Sequence, residues 1–85
     1  ADAMDKVQNV LQDFPEVLSF HDFRIVGKGK HENLVFDVVI KNGVTEEQIE
    51  ELHLGINQKL KEKCPGYRCI ITFDQHDLLA NENNK

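Results

Sequence analysis

The sequence predicts an α+β fold, a two-layer αββαβ sandwich in which two helices cover one face of a three-stranded mixed sheet. Segments with helical apolar spacing and segments with strand-like alternation follow one another in the order helix, strand, strand, helix, strand. A short turn containing glycine makes the first two strands an antiparallel hairpin, and the helix before the third strand implies a right-handed parallel crossover. The 85 residues are enough for one domain.

Both helices are predicted from apolar residues that recur at spacings of three and four. Pro15 ends the first helix, because proline has no backbone N–H to donate. The second helix begins after Thr45, since residues 45–48 (TEEQ) have the form of a capping box, and Pro65 ends it. The two apolar stripes are Met4, Val7, Leu11 and Phe14, and Ile49, Leu52, Ile56 and Leu60.

The three strands are predicted at residues 18–26, 33–41 and 67–74. The second strand is apolar on both faces, which places it at the centre of the sheet. If its even-numbered residues meet the helices, the other face of the sheet is apolar as well. That face carries Phe23, Ile25, Val35 and Val39. An apolar face of that size usually binds a partner, most often a second copy of the chain, so we expect a homodimer. The reversed assignment leads to the same expectation.

Four polar side chains on the strands are candidate metal ligands. If the hairpin turn is centred on Gly29, paired residue numbers add to 58, and His21 lies opposite Asp37 with Cβ atoms about 5 Å apart. An imidazole and a carboxylate at that separation can bind the same ion. Asp74 and His76, two residues apart at the end of the third strand, point to one side. One chain supplies only part of such a site, and a second subunit would complete it.

Each candidate also has a purely structural interpretation. His21 and Asp37 can hydrogen-bond each other and order the hairpin without any metal. Asp74 can cap a turn, and His76 can be a solvated residue next to the tail. The neighbouring Asp22 and Arg24 are expected to form an ion pair, because residues two apart share one face of a strand.

Composition and charge exclude several classes of function. The net charge is −5 and the basic residues are scattered, so nucleic-acid binding is not expected. The chain has no nucleophile motif and no glycine-rich phosphate loop, so we expect no enzyme. Cys64 and Cys69 are expected to be reduced thiols. We place the folded domain at residues 1–76 and a polar flexible tail at residues 77–85.

Several motifs, taken in order, resemble one protein family. The stretch "HDFR" at residues 21–24 is followed by a hairpin, by "VFDVVI", by a capped helix and by "CPGYRCIITFD". From about Met4 to about Asp74, this order resembles the cytoplasmic C-terminal domain of the cation diffusion facilitator transporters. These proteins export divalent cations such as Zn²⁺ using a proton gradient.

The resemblance implies a ferredoxin-like, metallochaperone-like domain that forms a homodimer and binds a divalent metal ion at the dimer interface. Zn²⁺ is the expected ion, and Mn²⁺ is the alternative. It implies a cytosolic dimerisation and metal-sensing regulatory domain of a proton-coupled efflux transporter. Such a domain is covalently attached to a transmembrane transport domain at the cytoplasmic face of the cell membrane. The family's histidine on the first strand matches His21, its second ligand falls on Asp37, and its last ligand pair falls on residues 72–74 (TFD).

Two positions depart from the family's pattern, since Asp37 and Thr72 stand where histidine is common. A site rich in oxygen ligands binds Zn²⁺ less tightly and accepts harder ions such as Mn²⁺, and loss of the site would leave no metal at all. Two alternative functions stay open. One is a transporter domain that only dimerises, and the other is a stand-alone ferredoxin-like module that binds a small ligand.

Overall fold

The computed structural model describes residues 2–75 and has the predicted element order. The elements are α1 (Asp2–Leu11), β1 (Val17–Val26), β2 (Asn33–Ile40), α2 (Glu46–Lys63) and β3 (Arg68–Gln75). The sheet order is β1-β2-β3, with β1 antiparallel and β3 parallel to the central β2. The predicted α+β sandwich and its mixed sheet are therefore confirmed. His76 and the tail predicted at residues 77–85 lie outside the described residues.

The two helices differ in how closely they follow the sequence pattern. At the start of α2 the predicted capping box is present. Thr45 Oγ1 accepts a hydrogen bond from the Gln48 N–H at 3.1 Å, and Gln48 Oε1 accepts one from the Thr45 N–H at 2.9 Å. Helix α1 ends at Leu11, three residues before the predicted end, and its buried side chains include Ala3 and Val10 in place of Met4.

Phe14 lies beyond the end of α1 and packs on a glycine of α2. A Cβ atom added to Gly55 would lie 3.2 Å from the Phe14 ring, tighter than an ordinary van der Waals contact. The close approach explains why α2 carries a glycine in its middle, where glycine usually weakens a helix.

The core lies between the helices and the even-numbered face of β2. Its four even-numbered residues have no exposed surface: Leu34, Phe36, Val38 and Ile40. Val7 of α1 and Ile56 and Leu60 of α2 are also fully buried and pack against this face. The assignment of the even-numbered side of β2 to the helices is therefore confirmed.

A β-bulge in β1 changes which side chains reach the core. His21 pairs with Asp37, but the next paired residue is Arg24, which lies opposite Val35. Asp22 and Phe23 therefore both stand opposite the single residue Phe36, and Asp22 takes a left-handed backbone with φ of 58°. The inserted residue reverses the alternation of side chains along the rest of the strand.

The bulge makes the predicted placement of Phe23 and Ile25 wrong. Both were expected on the face away from the helices, but the ring centroid of Phe23 lies 6.1 Å from that of the buried Phe36. Ile25 pairs with Leu34, another residue of the helix-facing side. The face away from the helices is consequently more polar than simple alternation predicts.

A candidate metal site on the open face of the sheet

The sheet face turned away from the helices is called the open face. Strand pairing places on it the odd-numbered residues of β2 and their neighbours on β1 and β3. Its central residues are Ser19, His21, Arg24, Val35, Asp37, Val39, Ile70, Thr72 and Asp74. Asp37 is half-buried, whereas His21 and Asp74 are exposed to solvent. Polar and apolar side chains thus share one accessible surface.

His21 lies directly opposite Asp37, as the sequence predicts. At the tip of the hairpin Val26 pairs with Asn33, so the paired residue numbers add to 59 and not to the predicted 58. The bulge shifts the register by one residue and restores the predicted sum at His21. The imidazole Nε2 lies 2.9 Å from the hydroxyl Oγ of Ser19, on the same face. Among residues 2–75 no hydrogen bond joins His21 to Asp37. Within this single chain, the hydrogen-bond partner of the His21 imidazole is therefore Ser19 and not Asp37.

Asp22 is the residue of this surface that sequence reasoning missed. Its carboxyl group raises the pKa of Asp37 through a side-chain hydrogen bond and through its negative charge. The expected ion pair with Arg24 is not formed. Arg24 Nη1 instead donates to the backbone carbonyl oxygen of Asp22 at 2.7 Å. The bulge at Asp22 therefore adds a second acidic side chain that affects the titration of Asp37 across β1 and β2.

The neighbouring acids raise the pKa of Asp37 above the ordinary aspartate value. Partial removal from water is the largest cause, followed by the hydrogen bond and the negative charge of Asp22, and then by the charge of Asp74. The positive charge of Arg24 acts in the opposite direction. The ionised form of Asp37 is therefore less favourable in the folded chain than that of an ordinary aspartate.

The pKa of Asp37 predicts a pH-dependent effect of replacing it by asparagine. A raised native pKa means that the folded chain binds more protons than the unfolded chain between about pH 4 and the native value. Stability from this group is therefore lost as pH rises through that window. In metal-free buffer at pH 7 we expect Asp37→Asn to melt at a higher temperature than the wild type, since it removes the charge and can donate to Asp22. At about pH 3, below the pKa of Asp37 in both the folded and the unfolded chain, the difference between the two melting temperatures should vanish. A variant that melts at or below the wild-type temperature at pH 7 would contradict this reading.

Of the two other predicted ligands, the structure describes Asp74 but not His76. Asp74 lies on the open face beside Val39, two residues along β3 from Thr72, which pairs with Asp37. His76 lies outside the described residues. Within residues 2–75, no group of three His, Cys, Asp or Glu side chains is arranged to hold a metal ion.

The donor chemistry of the open face nevertheless fits a divalent cation. An imidazole from His21 and carboxylates from Asp22, Asp37 and Asp74 are ligand types that Zn²⁺ and Mn²⁺ accept. The electrostatic conflict at Asp37 is of the kind that a bound cation relieves. One chain supplies these donors without closing a coordination sphere.

The comparisons with known proteins agree with this architecture. Residues 1–76 match the family described as the cytoplasmic domain of cation efflux proteins. The chain belongs to this family. The cation efflux domain is therefore a non-enzymatic, cytoplasmic part of a transporter, as the sequence resemblance implied. Neither helix in residues 2–75 combines the length and apolar content needed to span a bilayer.

Solved structures share the fold of this cation efflux domain. The metal-bound C-terminal domain of the CzcD transporter from Thermotoga maritima has a TM-score of 0.79 and 21% identity, over 87% of each chain. The cytosolic domain of a cation diffusion facilitator family protein has a TM-score of 0.75 and 22% identity, over 91% of this chain and 90% of that chain. The Zn form of the transporter CzrB has a TM-score of 0.74 and 19% identity, over 87% and 81% of the two chains. No curated protein sequence matches the chain.

Proposed function

We propose that the domain pairs with a second copy through its open face, and that a divalent metal ion shared between the two copies favours the paired state. The pairing would regulate a proton-coupled efflux transporter whose transmembrane part is covalently attached. The CzcD relative is a C-terminal domain, and on that likeness the membrane part precedes residue 1. The observation that carries the proposal is the placement of His21 and Asp37 opposite each other on an uncovered sheet face.

The proposed ligands are His21, Asp37 and Asp74, together with His76 from the sequence pattern and Asp22 from the bulge. The imidazole would bind the ion in its neutral form, and the carboxylates would supply negative charge. The metal would compensate the repulsion among Asp22, Asp37 and Asp74. Since protons compete with the ion for the same groups, binding should weaken in acid.

The apolar part of the open face supports pairing between copies. Ile70 is 49% exposed although it is a large aliphatic residue, and it lies beside the half-buried Val35. Burying such side chains removes apolar area from water, which is favourable by about 25 cal/mol per Å². The apolar contacts would hold two copies together, while the acids at Asp22 and Asp37 would oppose the contact until a cation is bound.

The proposed metal is Zn²⁺, and the donor set leaves room for Mn²⁺. Carboxylate ligands in place of imidazoles shift preference towards harder ions, and Asp37 and Thr72 stand where the family resemblance leads us to expect histidine. The ion acts only through its greater affinity for the paired state.

A second candidate is a domain of the same transporter that dimerises without binding metal. The lack of a three-ligand group within residues 2–75 is the observation that favours it. On this account the bond between His21 and Ser19 orders the strand, and the acids of the open face stay hydrated. A stand-alone module that binds a small ligand is a third alternative, and a full-length protein with a block of membrane helices upstream of this domain would rule it out.

Calorimetric titration of the chain with Zn²⁺ and with Mn²⁺ separates the first two candidates. The regulatory proposal predicts saturable heat, a higher melting temperature in the presence of the ion and loss of both effects in acid. The absence of saturable heat, together with an unchanged melting temperature for both ions, would support the domain that only dimerises.

A further inference from the structure

Basic side chains gather at one end of the molecule, where the hairpin turn meets the turn between α2 and β3. The backbone N–H of Arg68 donates to the carbonyl oxygen of Glu32 at 3.1 Å, which ties the two turns together. Lys30 and Arg68 line one shallow cavity between the turns, with a volume of about 260 Å³. Both side chains are exposed, and neither approaches the cluster of His21 and Asp37 in the strand register.

Helix α1 begins at this same end. Asp2 and Lys6 of α1 line a cavity together with Pro65 and Tyr67 from the turn after α2. Lys61 lines another cavity with Arg68, so the last turn of α2 belongs to this end as well. The chain therefore enters the domain beside the hairpin turn.

We call this region the basic end and define it by its charged residues. The basic ones are Lys6, Lys28, Lys30, Lys61, Lys63 and Arg68, all of them exposed. The acidic ones are Asp2, Asp5, Glu32 and Glu62. The six basic and four acidic side chains give a net charge of +2, whereas the other charged residues among residues 2–75, three basic and nine acidic, carry −6. The domain is thus polarised in charge along its length.

The acids at the start of α2 lie too far from the basic end to cancel its charge at physiological salt. Helix α2 has 18 residues, which corresponds to a length of about 27 Å. Its first turn carries Glu46 and Glu47, and its last turn carries Lys61 and Lys63. Salt screens exposed charges beyond about 8 Å, so a surface that meets the basic end senses mainly the net positive charge of that end.

We propose that the basic end docks on the anionic phospholipid headgroups of the membrane leaflet that faces the domain. The proposal rests on the proposed function, because that function places the membrane part before residue 1 and the chain enters the domain at this end. A covalent anchor keeps this end at high effective concentration near the bilayer. The cytoplasmic leaflet is negatively charged and attracts basic segments close to it. Docking would fix the orientation of the domain while leaving the open face free for a second copy.

The test is co-sedimentation of the chain with lipid vesicles in the presence of EDTA, so that the result does not depend on metal. We expect binding to vesicles of phosphatidylcholine mixed with phosphatidylserine at low salt, and loss of binding at high salt. Lys30→Glu should weaken the partition coefficient by about 25-fold, since it changes the charge by two and each charge is worth about fivefold near such a surface.

Lys41→Glu is the matched control, because Lys41 is an exposed lysine just beyond the opposite end of β2. It should change the partition coefficient by less than about twofold, since its charge lies beyond the screening distance. Equal losses in the two variants, equal binding to phosphatidylcholine alone, or no binding to the anionic vesicles at low salt would overturn the proposal. Competition by inorganic phosphate beyond that of sodium chloride at equal ionic strength would also overturn it and assign the basic end to a free anion. Metal binding by the open face is unaffected by any of these outcomes.

Discussion

Replacing Phe36 by alanine is expected to lower the melting temperature by about 15–30 °C. The ring has no exposed surface, and its centroid lies 6.1 Å from those of Phe20 and Phe23, which are themselves 6.5 Å apart. Truncating a buried phenylalanine usually destabilises a protein by about 3–5 kcal/mol, and each kcal/mol shifts the midpoint by about 4–8 °C in a domain of this size. This loss is a large part of the total free energy of unfolding expected for a chain of this length, about 4–13 kcal/mol.

Leu54→Ala is the control for the truncation of Phe36. Leu54 is 71% exposed on α2, so its loss should change the free energy of unfolding by no more than about 0.5 kcal/mol. Thermal unfolding followed by circular dichroism measures both variants. A fall of only a few degrees for Phe36→Ala would show that the aromatic cluster between β1 and β2 is not the centre of the core.

Much of the fold follows from local sequence signals. The capping box at Thr45 and Gln48 fixes the start of α2, and its two hydrogen bonds are those the motif predicts. The alternation from Leu34 to Ile40 fixes which side of β2 faces the helices, because one face of the strand must enter the core. The parallel pairing of β2 and β3 follows from the helix that connects them.

The bulge at Asp22 was not predicted, because the prediction assumed a regular strand in which every side chain alternates between the two faces. A signal for it exists in the sequence, however. Phe20 and Phe23 are both large aromatics, and their spacing of three cannot place both on the same face of a regular strand. One extra residue between them resolves the conflict, and aspartate tolerates the left-handed backbone that the bulge requires better than most residues do.

The candidate site was predicted only where it depends on strand pairing. The opposition of His21 and Asp37 was predicted from a turn centred on Gly29, and it is present because the bulge offsets the different pairing at the tip of the hairpin. The role of Asp22 depends on the bulge, so it could not be read from alternation. The imidazole of His21 bonds Ser19 because the two residues share a face, a local contact that competes with any bond to Asp37.

Removing the imidazole of His21 is expected to abolish the effect of zinc on dimerisation. The side chain is exposed, so His21→Ala should leave the fold and its melting temperature close to those of the wild type. Loss of a direct ligand should weaken zinc binding by more than the 10–100-fold that losing an outer partner typically costs. The dimer would then lose the stabilisation that a shared ion provides.

His31→Ala is the matched control, because His31 is an exposed histidine in the hairpin turn, away from the open face. It should keep the wild-type response to zinc. A loss of response in His31→Ala equal to that in His21→Ala would place the metal site elsewhere in the chain.

Sedimentation velocity of the wild-type chain over a concentration series, with and without Zn²⁺, tests most directly whether a shared ion draws two copies together. Saturating zinc is expected to lower the dimer dissociation constant by about tenfold or more, since an ion that binds the dimer better than the monomer stabilises it by mass action. The dissociation constant of His21→Ala should not respond. A wild-type dissociation constant that zinc leaves unchanged would contradict the account.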